Sequence, residues 1–160
     1  MNQDFYSKPK NITTRPRREN ETDYEFVSEE EYDSLSKSNK LICEYEAKNG
    51  WKYGIKLEEL EKDLPSVLIL EPSGYYELIE KYGREKVIGI YLDIPIEERI
   101  ERLLKRDSDY KETLRRIGSD LVDFRGIHYE VDTIITIQDL DILTQKVENI
   151  IRSGIYYDFI

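Results

Sequence analysis

Cysteine, histidine, methionine and tryptophan each occur once in these 160 residues, and alanine is represented by Ala47 alone. A single Cys43 excludes an internal disulfide and any cysteine metal cluster. Set in the apolar run Leu41-Ile42-Cys43, it reads as a buried, inert thiol. His128 has no second His or Cys near it in sequence, so it reads as structural or solvent-facing, and no metal site is expected. No apolar run approaches membrane-spanning length, and Met1-Asn2-Gln3-Asp4 opens without the basic-then-apolar pattern of a secretion signal. A cytoplasmic location and no membrane partner are therefore expected. None of the eight glycines falls in a G-x-x-x-x-G-K-[ST] run, the loop that cradles the phosphates of a nucleoside triphosphate.

What is abundant is charge. Charged residues make up 36% of the chain, and the net charge is −10. That sign argues against general nucleic-acid binding, which needs clustered cations. The distribution is uneven, however. Lys8, Lys10, Arg15, Arg17 and Arg18 crowd the first 18 residues, whereas residues 19–46 hold ten acidic residues against two lysines. A local basic spot in an acidic protein suits a small phosphorylated ligand better than a polymer.

Along the chain, Ser28 with Glu31 forms a capping box that opens a helix through about Ser36. Leu41–Ala47 and Trp51–Ile55 are β-rich runs around Lys48-Asn49-Gly50, the strongest hairpin signal present. A short helix is expected over Leu57–Leu64, stopped by Pro65. Ser66–Leu70 and Val87–Leu92 read as buried parallel strands, with a helix over Ser73–Tyr82 between them, closed by Gly83. Pro95–Lys105 has Ile96, Ile100, Leu103 and Leu104 at helical spacing. Tyr110–Phe124 reads as a second charged helix, Thr133–Ile137 as a strand and Leu140–Arg152 as the last helix. The alternation predicts an α/β fold with right-handed crossovers, preceded by a flexible N-terminal arm.

Four short motifs carry a more specific signal. Thr13-Thr14-Arg15-Pro16-Arg17-Arg18 precedes Asp23-Tyr24-Glu25-Phe26-Val27-Ser28, followed by Leu41-Ile42-Cys43-Glu44-Tyr45 and Lys52-Tyr53-Gly54. Their order, spacing and residue types resemble the nucleotide-monophosphate-binding region of the guanylate kinases. Val87–Arg106 and Thr133–Asp141 extend the resemblance, which covers about Thr13 to Ile151. It implies a guanylate-kinase-like parallel sheet with flanking helices and an antiparallel nucleotide-monophosphate-binding insert. It also implies a single domain over residues 1–160, with the insert at 12–56, core and lid remnant at 57–154, and an apolar tail at 155–160.

The resemblance assigns ligand-binding roles. Arg15 and Arg18, three residues apart around Pro16, hold one phosphate with two guanidinium forks. Tyr24 and Tyr53 offer hydroxyls to the same phosphate, and Arg115 and Arg116 stand where the family's lid binds phosphate. Glu44 lies nine positions before Tyr53, as the family's guanine-reading glutamate does. Guanine presents two adjacent donors, N1–H and the N2 amine, and a carboxylate accepts both; adenine places an acceptor where guanine has a donor. Without the motif, Glu44 would read as a solvent-facing strand residue and the two tyrosines as sheet packing.

Departures from the family pattern point toward lost catalysis. Only twelve residues precede Thr13, the phosphate-loop strand is expected to be missing, and Ile69 and Glu71 stand where the family carries two aspartates. Ile55 replaces a small hydroxyl residue, and Ile137 stands near an adenine-associated asparagine. The expectation is therefore a catalytically inactive protein, not an enzyme, with no catalytic residue and no cofactor. Its partner would be a guanine nucleotide or guanine-containing signal molecule that it senses or sequesters. Two alternatives stay open, a phosphopeptide-binding module of the scaffold type and an enzyme hydrolysing a guanine-containing nucleotide. Absence of the phosphate-loop strand would leave a gap in the sheet. The apolar tail Ile155–Ile160 could fill it, pair with a second copy to make a homo-oligomer, or pack outside.

Overall fold

The computed structural model describes residues 6–60, 64–107, 109–136 and 139–157. The chain divides at Lys86–Val87 into two compact units, the second running to Gly154 and the first taking up the residues on either side. The first unit is built on a four-stranded mixed sheet in the order β2-β1-β4-β3. Its strands are β1 (Asn11–Thr13), β2 (Tyr24–Phe26), β3 (Leu41–Glu46) and β4 (Lys52–Lys56). β1 runs parallel to β2 and antiparallel to β4, and β4 runs antiparallel to β3. Ile12, Ile42 and Ile55, each β-branched and suited to a half-buried pleat, are almost fully inaccessible at its centre.

The β3–β4 hairpin forms where Asn49-Gly50 signals it. Gly50 donates its N–H to the Ala47 carbonyl at 2.8 Å and takes φ +83°, a left-handed position that suits glycine. Helix α1 (Glu29–Lys37) starts at Ser28, whose side chain accepts the Glu31 N–H, and places Glu29, Glu30 and Glu31 in its first turn. Acidic residues there complement the helix dipole. Its inner face presents Tyr32, which packs with Ile12 and Leu41 while Val27 and Leu35 close the edge. Helix α2 covers Leu57–Leu60, within the expected Leu57–Leu64, of which residues 61–63 lie outside the described part. Helix α3 (Pro72–Tyr82) opens with proline at its start and ends at Gly83. It packs against β3 at Gly74, where an added Cβ would lie 3.1 Å from that of Cys43.

The second unit pairs β5 (Ile90–Leu92) with β6 (Thr133–Ile135) in parallel. Between them run α4 (Ile96–Asp107) and α5 (Tyr110–Asp123), packed together, with Arg99 Nη1 3.3 Å from Asp120 Oδ2. Asp109 caps α5 by accepting the N–H groups of Lys111 and Glu112. Helix α6 spans Leu140–Tyr157. Among the described residues, no helix is long and apolar enough to cross a membrane.

Three sequence expectations are corrected. The run Ser66–Leu70 is not a strand: its one bridge pairs Ser66 with Ser7, and Ile69 is 83% exposed. A β-run becomes a strand only where a neighbour takes up its backbone groups, and here Ser7 alone does so, through Ser7 N–H to Pro65 O and Val67 N–H to Ser7 O. The segment that pairs here is thus the start of the chain, expected to be a flexible arm, and Tyr6 is buried beside it. Finally, Ile155–Tyr157 continue α6 rather than forming a sheet-completing strand; residues 158–160 lie outside the described part.

Candidate functional site

The Thr-Thr-Arg motif builds its own launch point. Thr13 is fully buried; its hydroxyl donates to the Lys52 carbonyl at 2.9 Å and accepts the Arg15 N–H at 3.1 Å. Thr14 accepts the Lys52 N–H through its own hydroxyl at 3.0 Å. With the backbone held on both sides of β4, Arg15 turns inward and is 5% exposed.

Its guanidinium is then surrounded. Nη2 lies 2.6 Å from Glu21 Oε1, and Nη1 donates to the Pro16 carbonyl at 2.9 Å. The Tyr24 and Phe26 rings of β2 stand 5.3 and 5.6 Å away, within cation–π range. Glu21 reaches Arg15 because residues 18–21 form a turn, closed from Glu21 N–H to Arg18 O, with Asn20 at φ +59°, a conformation asparagine tolerates. The second Glu21 oxygen accepts the Arg18 N–H at 3.2 Å. The hydrogen bond from Arg15 holds the Glu21 carboxyl below its ordinary range. Burial alone would ease the proton off Arg15, but the Glu21 carboxylate and the Tyr53 hydroxyl outweigh it and hold that proton more tightly.

The tyrosines gather around the same cation. Tyr24 and Tyr53 meet edge to face with centroids 6.1 Å apart, and Tyr45 lies 6.3 Å from Tyr53. Burial, then the neighbouring Tyr53, pushes the Tyr24 phenol above its usual range. The structure therefore brings Arg15, Tyr24 and Tyr53 together. Arg18 is exposed on the turn, held by its backbone, and Arg17 stands 4.8 Å over Phe26. Sequence reasoning missed Glu21, the acidic residue that pairs with the buried arginine. The available signal was a carboxylate six positions after Arg15, hidden in a densely acidic stretch.

Glu44 is placed by a β-bulge. Register passes from Ile42↔Ile55 to Tyr45↔Tyr53, so Cys43 and Glu44 together oppose Gly54. Cys43 takes φ +54°, its N–H donates to Glu77 Oε2 at 2.8 Å, and its thiol donates to the Gly74 carbonyl at 3.4 Å. Burial, with the Glu77 charge adding, pushes the thiol up to about 12, which fits an inert thiol. The bulge replaces strand alternation by three buried residues, Leu41–Cys43, followed by three exposed ones. Glu44 is the first of the exposed set, its Cγ over the gap left by the missing side chain of Gly54. Ile55, 1% exposed, is a core residue.

Arg115 and Arg116 lie on α5, in the second unit. Glu112 binds both, through two hydrogen bonds from Arg115 and one from Arg116 Nε, all at 2.7 Å. Those bonds bring the Glu112 carboxyl down to about 2.

The sheet, helices and parallel strand pair define an α/β protein whose first unit presents a buried arginine ringed by tyrosines and, on its edge hairpin, an outward carboxylate. The guanylate kinase family model matches residues 2–154. The guanylate kinase of Malacoplasma penetrans is 33% identical over 149 residues, which cover 88% of this chain and 75% of that protein. That of Wolbachia pipientis wMel is 28% identical over 143 residues, covering 86% and 70%. A crystal structure of guanylate kinase from Anaplasma phagocytophilum superposes with a TM-score of 0.74 at 25% identity, over 92% of this chain and 75% of that one. The chain belongs to the guanylate kinase family.

These relatives correct the functional expectation. Proteins at 27–33% identity bear the name of a phosphotransferase, which overturns the reading as a catalytically inactive sensor or sequestering protein and the expectation that the chain is not an enzyme. Departures at single positions such as Ile69 weigh less than similarity running through most of the chain.

Proposed function

We propose that this chain works in the guanylate kinase reaction, transfer of a phosphoryl group from ATP to GMP, and that its first unit makes the GMP half of the site. The observation that carries the reading is the convergence of Arg15, Tyr24 and Tyr53 in the unit whose bulge turns Glu44 outward. The GMP phosphate binds to the Arg15 guanidinium and the tyrosine hydroxyls, with Arg18 supplying a second fork from the exposed turn. Glu44 accepts N1–H and the N2 amine of guanine. Arg115 and Arg116, in the second unit, are phosphate-binding cations that exchange Glu112 for a phosphate. The cytoplasm, where nucleotide pools lie, is the compartment this assigns.

ATP brings magnesium to such a transfer, held in P-loop enzymes by the loop's Ser or Thr and an aspartate. The 160 residues contain no G-x-x-x-x-G-K-[ST] run, and Ile69, exposed and apolar, offers the ion nothing. Among the described residues no group of three or more His, Cys, Asp or Glu stands together to hold the ion, and no residue is assigned to the triphosphate.

Calorimetric titration with GMP and AMP, beside a coupled assay of ADP release from ATP, magnesium and GMP, tests the proposal. GMP bound in preference to AMP, with turnover that falls on Arg15→Ala, is the expected result. Binding of GMP without ADP release overturns the catalytic part, and equal affinity for AMP overturns the assignment of Glu44.

A further inference from the structure

In a regular antiparallel pair each residue of β3 faces one residue of β4. Counted on from Ile42↔Ile55, that ladder would set Cys43 against Gly54 and Glu44 against Tyr53. The structure uses one residue more, so that Tyr45 stands opposite Tyr53, their ring centroids 6.3 Å apart. The extra residue is taken up at Cys43, 6% exposed and at φ +54°. A bulge leaves backbone groups without a partner in the ladder, and a buried one is costly. The Cys43 N–H finds its acceptor on α3 instead, at Glu77 Oε2, 2.8 Å away. Three residues earlier on the same helix, the Gly74 carbonyl accepts the Cys43 thiol at 3.4 Å. Glycine there leaves room for the Cys43 side chain, whose Cβ lies 3.1 Å from where a Gly74 Cβ would be.

We infer that Glu77 is a positioning residue for base recognition: by holding the Cys43 N–H it fixes the bulge that sets Glu44 over Gly54 and keeps it from the place opposite Tyr53. The inference rests on the reading of Glu44 as the group that meets guanine. The link between the two glutamates is covalent. Glu44 follows Cys43 directly, so the Cys43 backbone dihedrals aim its side chain, and Glu44 Cγ stands 3.7 Å from where a Gly54 Cβ would be. Without Glu77, Cys43 would combine a buried, unpaired donor with a left-handed backbone. The regular register relieves both. A shift of one residue moves side chains to the other face of the sheet, so Glu44 would cross to the face that carries the Tyr53 ring and leave the base without its carboxylate.

GMP and AMP titrations of Glu77→Ala, Glu77→Gln and Glu44→Gln test this. Loss of a hydrogen bond to a carboxylate predicts that Glu77→Ala lowers the preference for GMP over AMP about tenfold. The contact between the Tyr45 and Tyr53 rings, followed by NMR, should weaken with it. Glu77→Gln keeps a side-chain oxygen as acceptor and should retain most of the preference. In a Glu44→Gln background Glu77→Ala should change the preference little further, because its effect runs through Glu44. Equal losses for GMP and AMP, full additivity with Glu44→Gln, a Gln variant as impaired as Ala, or an unaltered ring contact would each overturn the inference. Glu44→Gln with unaltered GMP affinity refutes the underlying site instead, whatever Glu77→Ala does. Should Glu77→Ala prove too unstable to titrate, Gly74→Ala displaces the bulge from the same helix, its methyl meeting Cys43 Cβ at 3.1 Å. It too should lower the GMP preference, and an unaltered preference there contradicts the assigned geometry.

Discussion

Burying a guanidinium is unfavourable unless its N–H groups and charge are matched, and Arg15 is matched by Glu21, the Pro16 carbonyl and two aromatic faces. Arg15→Met keeps the length and removes the charge, so the variant should bind GMP at least about tenfold more weakly, read by calorimetry. Its stability loss should depend on pH in a defined sense. The Glu21 carboxyl is held below its unfolded value by Arg15, so its contribution is present above that unfolded value and disappears as pH falls through the lower folded one. Urea midpoints of native and Arg15→Met proteins should therefore separate near neutrality and converge in acid. Parallel curves at all pH values would show that Glu21 is indifferent to Arg15.

The bulge in β3 is an element-scale device anchored from outside the hairpin by α3. Cys43 at φ +54° is strained for a non-glycine residue, and Glu77 on α3 compensates by accepting its N–H at 2.8 Å. Glu77→Ala should cost about 1–3 kcal/mol in chemical denaturation, the range for a buried donor left unsatisfied. It should also weaken GMP, because Glu44 follows the bulge. Unchanged GMP affinity in a destabilised variant would separate the bulge from base recognition. On α5 the pair Arg115 and Arg116 brings Glu112 from its ordinary 4.5 to about 2. A carboxyl lowered in this way contributes stability above about 4.5 that fades as pH approaches 2. An NMR titration should find the Glu112 midpoint near that value, rising on Arg115→Ala; a midpoint that stays put would deny the pairing.

At the scale of the molecule, the first unit depends on Ile12, which is fully inaccessible in the short strand that joins β2 to β4. Ile12→Ala should lose about 2–5 kcal/mol of unfolding free energy, measured by urea denaturation, and a loss below 1 kcal/mol would show that the site readily collapses around the gap. How much of this was legible in the sequence varies with the range of the interaction responsible. The α1 cap, the Asn49-Gly50 hairpin and the Gly83 stop are local, set by neighbours a few residues away, and each stands where its residues place it. Strand Ile90–Leu92 and its parallel partner Thr133–Ile135 were legible as apolar runs, though shorter than expected. Ser66–Leu70 was misread because an apolar β-run shows that it can pair, not what is there to pair with it. The motif order led to Arg15, Tyr24 and Tyr53, whereas Glu21 was invisible, being chosen by a contact across a turn.

The amino-acid sequence by itself determined the helices, the hairpin and the family likeness, because capping, turn chemistry, periodicity and short motifs act along the chain. Only the tertiary structure decided that Ser7 pairs beside Ser66, that a bulge turns Glu44 outward, and that Glu21 meets a buried Arg15. Each of these depends on groups distant in sequence or on a backbone conformation that unfavourable local strain permits only when packing and hydrogen bonds elsewhere offset it.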